Sequence, residues 1–358
     1  MGGRESVKGE FHRLRVLHTR AETRDATSVS FHVPPPLTET FGWRPGQHLT
    51  LRFRLEGLER RRPYTISESP FGGGPLRVTV KRVRGGLVSS HINRNVMPGD
   101  VLDVMPPFGG FCLDPDARRR RTLYLFGAGS GITPLYSMLG SVLVAEPHSA
   151  VFLLYGNRDA DSVIFSEDLS RLEEDSTGRL TVRHVLSSPS RNSSLRPWRR
   201  GRINAKRVVE FIETHPPYAQ DTGYYVCGPG DMNAVVGSAL AGMDVPEERI
   251  HTENFLPVTP PDDSVPGVSA AMTVLLGGQA RSVPAASGQT ILEAVRASGG
   301  MAPYSCESGV CGACRARLRD GSVHLRARMA LTDAEIARGV ILTCQALPTA
   351  PRVTVEYD

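Results

Sequence analysis

Four of the six cysteines, Cys306, Cys311, Cys314 and Cys344, fall between position 306 and the end of the 358-residue chain, while Cys112 and Cys227 stand alone. Where no export signal is read, clustered thiols point to a metal or a cluster before disulfides. The opening MGGRESVKGEF has no apolar core, so it reads as no secretory signal. The spacing C-x4-C-x2-C, with a fourth cysteine far downstream, is that of a 2Fe-2S loop. Three thiolates reach a compact cluster from one loop only if the residues between them are small and leave N–H groups free to bond sulfide. Ser305, Ser308, Gly309, Gly312 and Ala313 meet that demand, and Cys344 returns from a distant strand to tie the module shut. Zinc and paired disulfides compete with this reading. Structural zinc sites usually pair two short elements, whereas the fourth thiol here stands alone.

Two glycine turns offer a second kind of chemistry. Gly127-Ala128-Gly129-Ser130-Gly131-Ile132-Thr133-Pro134 follows the apolar run TLYLF and opens a helical pattern. Backbone amides and the helix dipole make such a turn an anion site. Ile132 occupies the place of the third glycine of a dinucleotide G-x-G-x-x-G, so that fingerprint is not met. Cys227-Gly228-Pro229-Gly230 ends another apolar run and again opens a helix. A cysteine in an apolar strand is ordinarily packing. The Gly-Pro that follows Cys227 favours a ligand-facing role for it, and Cys112, without such context, keeps the packing reading.

These residues need a scaffold. Over the first ~117 residues, β-rich runs such as FHRLRVLH, TSVSFHV, QHLTLRF, RPYTIS and LRVTVKRV alternate with Gly/Pro turns, which argues for an antiparallel β-barrel. GLVSSHINRNV (86–96) reads as one inserted helix. After Arg121 the pattern becomes strand–helix alternation, with AVFLLYGN, LTVRHVLS and GYYVCGP as buried strands, and predicts a doubly wound parallel α/β sheet. LPVTPPDDSVPGVSA is a Pro-rich linker, which we expect to let the last module swing. That module reads as a small α+β unit with a hairpin, a helix TILEAVRAS, the cysteine loop and a closing strand RVTVEYD. The expected division is a barrel over 1–117, an α/β domain over 118–256, a linker over 257–269 and a β-grasp-like α+β module over 270–358.

Hydrophobic residues make up 40% and charged ones 22%, so the chain is neither collagenous nor broadly disordered. No apolar stretch approaches a membrane span, and the chain reads as cytoplasmic with no membrane partner. The net charge of +5 is concentrated in the first third, where Lys and Arg outnumber Asp and Glu. That suits a phosphate-bearing ligand. The Arg clusters lack interleaved aromatics, so nucleic acid is not expected.

The segment PYSCESGVCGACRARL resembles the cluster loop of plant-type ferredoxins, and the likeness extends over about 270–358. Arg62-Pro63-Tyr64-Thr65 resembles the R-x-Y-[ST] flavin motif of the ferredoxin–NADP reductase superfamily, and Gly86-Leu87-Val88-Ser89 its G-x-x-S motif. Val80, Lys81 and Val83 lie on the matching strand, and Pro106-Pro107-Phe108-Gly109 resembles the turn that closes the barrel. The resemblance implies FAD. Arg62 would neutralise a pyrophosphate, Tyr64 would present a flat face to the isoalloxazine and Thr65 would reach its N5 edge. The turn at Gly127, Gly129, Ser130, Gly131 and Thr133 resembles the superfamily's GxGxGI[TA]P, and Cys227-Gly228-Pro229 its CGP motif, whose cysteine lies beside the nicotinamide C4. Phe255 would pack against the flavin. His91 reads as structural, because hydride transfer to a flavin needs no protein base.

Arg158, at the end of the second α/β strand, could hold a 2′-phosphate, so NADPH is expected ahead of NADH. The whole chain resembles the reductase components of multicomponent oxygenases, those of phenylacetyl-CoA epoxidases and ketosteroid hydroxylases among them. The implied task is transfer of electrons from NAD(P)H through FAD and a 2Fe-2S cluster to a terminal oxygenase, with Tyr64, Thr65 and Cys227 at the reacting centre. A ferredoxin-like carrier or sensor with a vestigial reductase, and a reductase that releases reduced flavin, remain as alternatives. The Arg-rich segment 187–203 departs from the pattern.

Overall fold

The computed structural model describes residues 10–189 and 198–357; the middle of the Arg-rich segment, 190–197, lies outside them. The chain divides into two compact units. One comprises Arg13–Arg60 and Tyr64–Phe255, and the other Leu256–Asp358 with Arg61–Pro63 and the residues up to His12.

The first unit opens with six strands, β1 (His12–Thr23), β2 (Ala26–His32), β3 (His48–Leu55), β4 (Leu58–Thr65), β5 (Arg77–Lys81) and, after helix α1 (Leu87–Asn95), β6 (Val101–Phe108). Their order is β4-β3-β6-β1-β2-β5. An antiparallel bridge between Ile66 and Val78 brings the two edge strands together, so the sheet curls into the expected barrel. Leu14, Val29, Leu49, Leu51, Val78 and Val80 alternate into its core and leave polar residues on the other face, the period-2 pattern of a half-buried sheet.

The parallel sheet follows, with β7 (Arg121–Ala128), α2 (Ile132–Ala145), β8 (Ala150–Asn157), α3 (Ser166–Asp175), β9 (Leu180–Leu186), β10 (Trp198–Arg200), α4 (Ala205–Thr214), β11 (Asp221–Cys227), α5 (Gly230–Ala241) and β12 (Ile250–Glu253). Its order is β10-β9-β8-β7-β11-β12, so the chain reverses direction of winding between β7 and β11. A ligand crevice belongs outside the carboxyl ends of those two strands. Strand β7 is buried almost throughout, as a strand covered by helices on both faces must be. Helix α4 shows the complementary one-sided pattern, with Val208, Phe211 and Ile212 inside and the Asn204 side chain capping the Arg207 amide.

The second unit carries β13 (Ala270–Leu276), β14 (Gln279–Ala285), α6 (Ile291–Ala297), β15 (Arg315–Asp320), β16 (Val323–Leu325), α7 (Asp333–Ala337), β17 (Val340–Leu342), β18 (Ala346–Pro348) and β19 (Arg352–Glu356). The mixed sheet β14-β13-β19-β15-β17 packs under α6, whose start is fixed by the Thr290–Glu293 capping box. Half of the Pro-rich segment belongs to this module. The Asp262 amide donates to the Arg326 carbonyl at 2.7 Å, Asp263 pairs with Arg326 at 2.6 Å, and the Val268 amide donates to the Pro348 carbonyl at 2.8 Å. From Asp262 on, the segment is therefore part of the module itself.

Candidate functional site

The flavin motif lies where the barrel sheet curls on itself. Strand β4 carries Arg62, Pro63, Tyr64 and Thr65; Arg62 is exposed, Tyr64 half-buried and Thr65 buried. The Thr65 hydroxyl has no partner among the described residues. Past the end of β5, Gly85 adopts a φ of +74°, and a Cβ on Gly86 would stand 2.7 Å from Ser89 Oγ. The Ser89 hydroxyl accepts from the Val83 amide at 3.1 Å, so it braces the loop from within. No side chain caps α1, and its first amides, from Leu87, Val88 and Ser89, remain for an anion. Val83 is exposed and Val80 fully buried. His91 stacks edge-on against Phe53 at 5.3 Å, a packing role as expected.

The nicotinamide motifs converge at the switch point. A Cβ on Gly131 would lie 2.0 Å from the Cys227 carbonyl oxygen and 2.5 Å from its carbon. Backbone therefore meets backbone there, and glycine is the residue that permits it. Gly129, at φ +56°, has its carbonyl held by the fully buried Tyr155 hydroxyl at 3.0 Å. That bond turns the carbonyl inward. Helices α2 and α5 both begin at this crevice without a side-chain cap, so two positive helix ends face it, that of α5 with Asp231 in its first turn. Lys81 reaches across from β5, its Nζ 3.6 Å from the position a Gly129 Cβ would take. A Cβ on Gly127 or Gly228 would meet side-chain ends first, those of Leu135 and Met232. Thr133 is buried and donates to the Ser130 carbonyl at 3.0 Å, so its hydroxyl is committed at the turn.

Cys227 is fully buried at the end of β11. Its Sγ lies 4.0 Å from Glu253 Oε2, because parallel pairing places Glu253 of β12 beside it. Burial first, and then this carboxyl, push the Cys227 thiol well up, so it stays protonated. Burial likewise pushes Glu253 up to about 8. The Asn233 side chain fastens the segment, donating to the Glu253 carbonyl at 2.9 Å and to Asn254 Oδ1 at 2.8 Å. Sequence reasoning missed Glu253 and Asn233. An acidic residue inside a short edge strand was the available signal for the first. Phe255, just beyond, is exposed and open to pack against a ring. Cys112 is part-buried, and its Sγ donates to the Gly109 carbonyl at 3.2 Å. Arg158 is half-exposed and paired with Asp159 at 2.8 Å.

In the second unit, Cys314 and Cys344 are buried and Cys306 and Cys311 half-buried. The thiols pair two and two, Cys306 with Cys311 and Cys314 with Cys344. Two pairs of thiolates fit two irons bridged by sulfide. Gly309 and Gly312 take φ of +78° and +71°, which turn the loop around the sulfurs, and a Cβ on Gly309 would touch Ala327 and Gln345 at 3.2 Å. The Ser308 amide points at Cys306 Sγ, 3.4 Å away. Cys306 is drawn down to about 5 by the hydrogen bond from Cys311 and by the Ser308 amide, which suits a thiolate ligand.

A flavin barrel, a nicotinamide crevice and a ferredoxin-type thiol loop in one chain define a class: pyridine-nucleotide-dependent iron–sulfur flavoprotein reductases. Comparison with known proteins agrees. Residues 13–112 match the oxidoreductase FAD-binding domain family, 125–237 the oxidoreductase NAD-binding domain family, and 274–349 the 2Fe-2S iron-sulfur cluster binding domain family. The chain is 35% identical over 352 residues to one component of the 1,2-phenylacetyl-CoA epoxidase of Escherichia coli, covering 97% of this chain and 98% of that one. It is also 35% identical over 350 residues to the ferredoxin reductase component of 3-ketosteroid-9-alpha-monooxygenase of Rhodococcus rhodochrous, covering 94% of each. Phthalate dioxygenase reductase shares the fold, with a TM-score of 0.59 at 22% identity over 97% of this chain and 98% of that one. The chain belongs to the family of oxygenase reductase components, and it is an NAD(P)H oxidoreductase that moves electrons through FAD and a 2Fe-2S cluster to an oxygenase.

Proposed function

We propose that the residues brought together at β4, α1, the β7–α2 turn and the end of β11 are the working site of this reductase, and that NADPH is its preferred donor. The observation that carries the proposal is the backbone contact of Gly131 with Cys227, which joins the phosphate turn to the reacting cysteine. The bound FAD supplies conversion of a two-electron hydride into single electrons, and the 2Fe-2S cluster held by Cys306, Cys311, Cys314 and Cys344 carries those onward.

The chain's part is placement. Arg62 and the uncapped amides of α1 hold the flavin pyrophosphate. Tyr64 supports the ring, and Thr65 presents a hydroxyl to its N5 edge. The α2 amides and Lys81 hold the nicotinamide phosphates, and Cys227 and Phe255 set the nicotinamide against the ring. Arg158 can leave its exposed pairing with Asp159 for a 2′-phosphate at little cost, because such surface pairs contribute at most about 1 kcal/mol. The partner is a terminal oxygenase in the cytoplasm, with no nucleic acid and no membrane in its working cycle. The boundaries 117/118 and 256/257 divide the working parts, and the residues from Asp262 on count with the cluster module.

An anaerobic absorption titration with NADPH and then NADH tests this. Flavin and cluster bands that bleach in turn, faster with NADPH, are expected. Flavin without cluster absorption in protein purified without oxygen would refute the thiol assignment.

A further inference from the structure

Behind the flavin motif, the barrel holds an unbroken line of hydroxyls. Ser67 Oγ lies 2.7 Å from Thr79 Oγ1, Thr79 Oγ1 lies 2.7 Å from Ser28 Oγ, and Ser28 Oγ donates to Glu22 Oε1 at 2.5 Å. Ser28, Ser67 and Thr79 are buried, and the Glu22 side chain is 1% exposed. Nothing in the cofactor motifs uses these groups, and apolar residues would fill the same strand positions without any need for partners.

The two ends of the line are informative. At the inner end, the Ile66–Val78 bridge sets Thr65 opposite Thr79, with Ser67 two residues along on the same face of the strand. Opposed residues of an antiparallel pair stand about 5 Å apart at Cβ, a gap one water spans. At the outer end, Glu22 Oε2 is 3.5 Å from Arg20 Nη2, and the half-exposed Arg20 also pairs with Asp168 at 2.9 Å.

The chemistry leaves a proton over. NAD(P)H and two oxidised one-electron acceptors give NAD(P)+, two reduced acceptors and one H+. The electrons leave through the cluster, while the proton is set free in the flavin pocket. We propose that Thr79, Ser28 and Glu22 form the path by which this proton reaches solvent. Resting on the placement of Thr65 at the flavin, the path works by relay. The Ser28 O–H breaks as Glu22 Oε1 gains the proton, Thr79 restores Ser28, and Thr79 is restored from the water beside Thr65. Glu22 then gives the proton to water at the Arg20–Asp168 rim. Burial raises Glu22 above the ordinary carboxylate range. Ser28, Arg20 and Arg77 pull it down, and Asp168 pushes it up. The group can thus take up and release a proton in turn.

The test uses the full holoprotein in weak buffer with phenol red, NADPH as donor and ferricyanide as acceptor, followed by stopped flow. In Thr79→Val and Glu22→Gln, dye protonation should slow at least tenfold, while anaerobic flavin bleaching by NADPH stays within twofold of wild type. Thr79→Ser should restore proton release. Infrared difference spectra of the flavin-free protein, recorded as the pH is lowered, provide a readout independent of turnover: a buried protonated carboxyl band that grows in on acidification, is lost in Glu22→Gln and is shifted in Ser28→Ala. Proton release at the wild-type rate in Thr79→Val, or no band assignable to Glu22, overturns the path. Unchanged flavin binding and bleaching in Thr65→Ala would instead overturn the placement of the flavin.

Discussion

Gly131→Ala is the sharpest probe of the nicotinamide crevice. An added Cβ would stand 2.0 Å from the Cys227 carbonyl oxygen, where real Cβ contacts essentially never fall below 3.0 Å. Gly131 is in ordinary right-handed helical backbone, so no conformational strain enters and the whole effect is steric. The turn and the end of β11 must separate by about 1 Å. Overpacking of this kind costs about 1–3 kcal/mol of stability. The larger effect is on rate, because a misplacement of about 1 Å in aligned reactants costs about 100-fold. Anaerobic stopped-flow bleaching of the flavin by NADPH should therefore slow about 100-fold. The flavin and cluster spectra should be retained, because the clash falls on the Cys227 and Gly228 backbone rather than on the residues assigned to either group. A bleaching rate within threefold of wild type would show that the Gly131–Cys227 contact does not set the nicotinamide geometry.

Other perturbations separate the remaining parts. Cys306→Ser should abolish electron delivery to an external oxygenase or cytochrome while flavin bleaching by NADPH persists; loss of both, or of neither, contradicts the relay. Arg158→Gln should cut the NADPH-over-NADH preference in kcat/KM at least tenfold, and an unchanged ratio would remove Arg158 from the 2′-phosphate site. Glu253 has a folded-state pKa raised from 4.5 to about 8 by burial, so its share of stability is present below pH 4.5 and is lost as pH rises towards 8. The shift corresponds to a few kcal/mol, about 1.4 kcal/mol per unit. The wild-type Tm should therefore fall between pH 5 and 9, and Glu253→Gln should flatten that decline; parallel profiles for the two proteins would show that Glu253 is not buried as described.

Much of this was legible in the chain because the features are local. A glycine turn after an apolar strand, or four cysteines at fixed spacing, needs no knowledge of what packs alongside. The helix read at 86–96 appears as Leu87–Asn95, and the run TLYLF as buried strand β7. What escaped was set by pairing between distant segments. Glu253 becomes a neighbour of Cys227 only because β12 adds to β11 in parallel register, and the hydroxyl line requires β1, β2 and β5 to lie side by side. Likewise, the prolines between 257 and 266 suggested a fairly stiff linker, yet Asp262 and Asp263 are fastened to Arg326 by bonds that composition does not reveal.

The position that strand pairing gives the Glu253 carboxyl makes sense of the crevice. Two uncapped helix N-termini and Lys81 give it a positive field suited to pyrophosphate. An ionised carboxylate beside Cys227 would oppose that field at the point where the anion is held. Burial keeps Glu253 protonated through neutral pH, so the carboxyl lies next to the thiol without cancelling the attraction. On this argument the affinity for NADPH, measured by equilibrium titration of the oxidised protein with NADP+, should weaken above about pH 8 in the wild type as Glu253 ionises. Glu253→Gln should remove that weakening. A wild-type affinity that stays flat through pH 9 would mean that the field at the turn is set without Glu253.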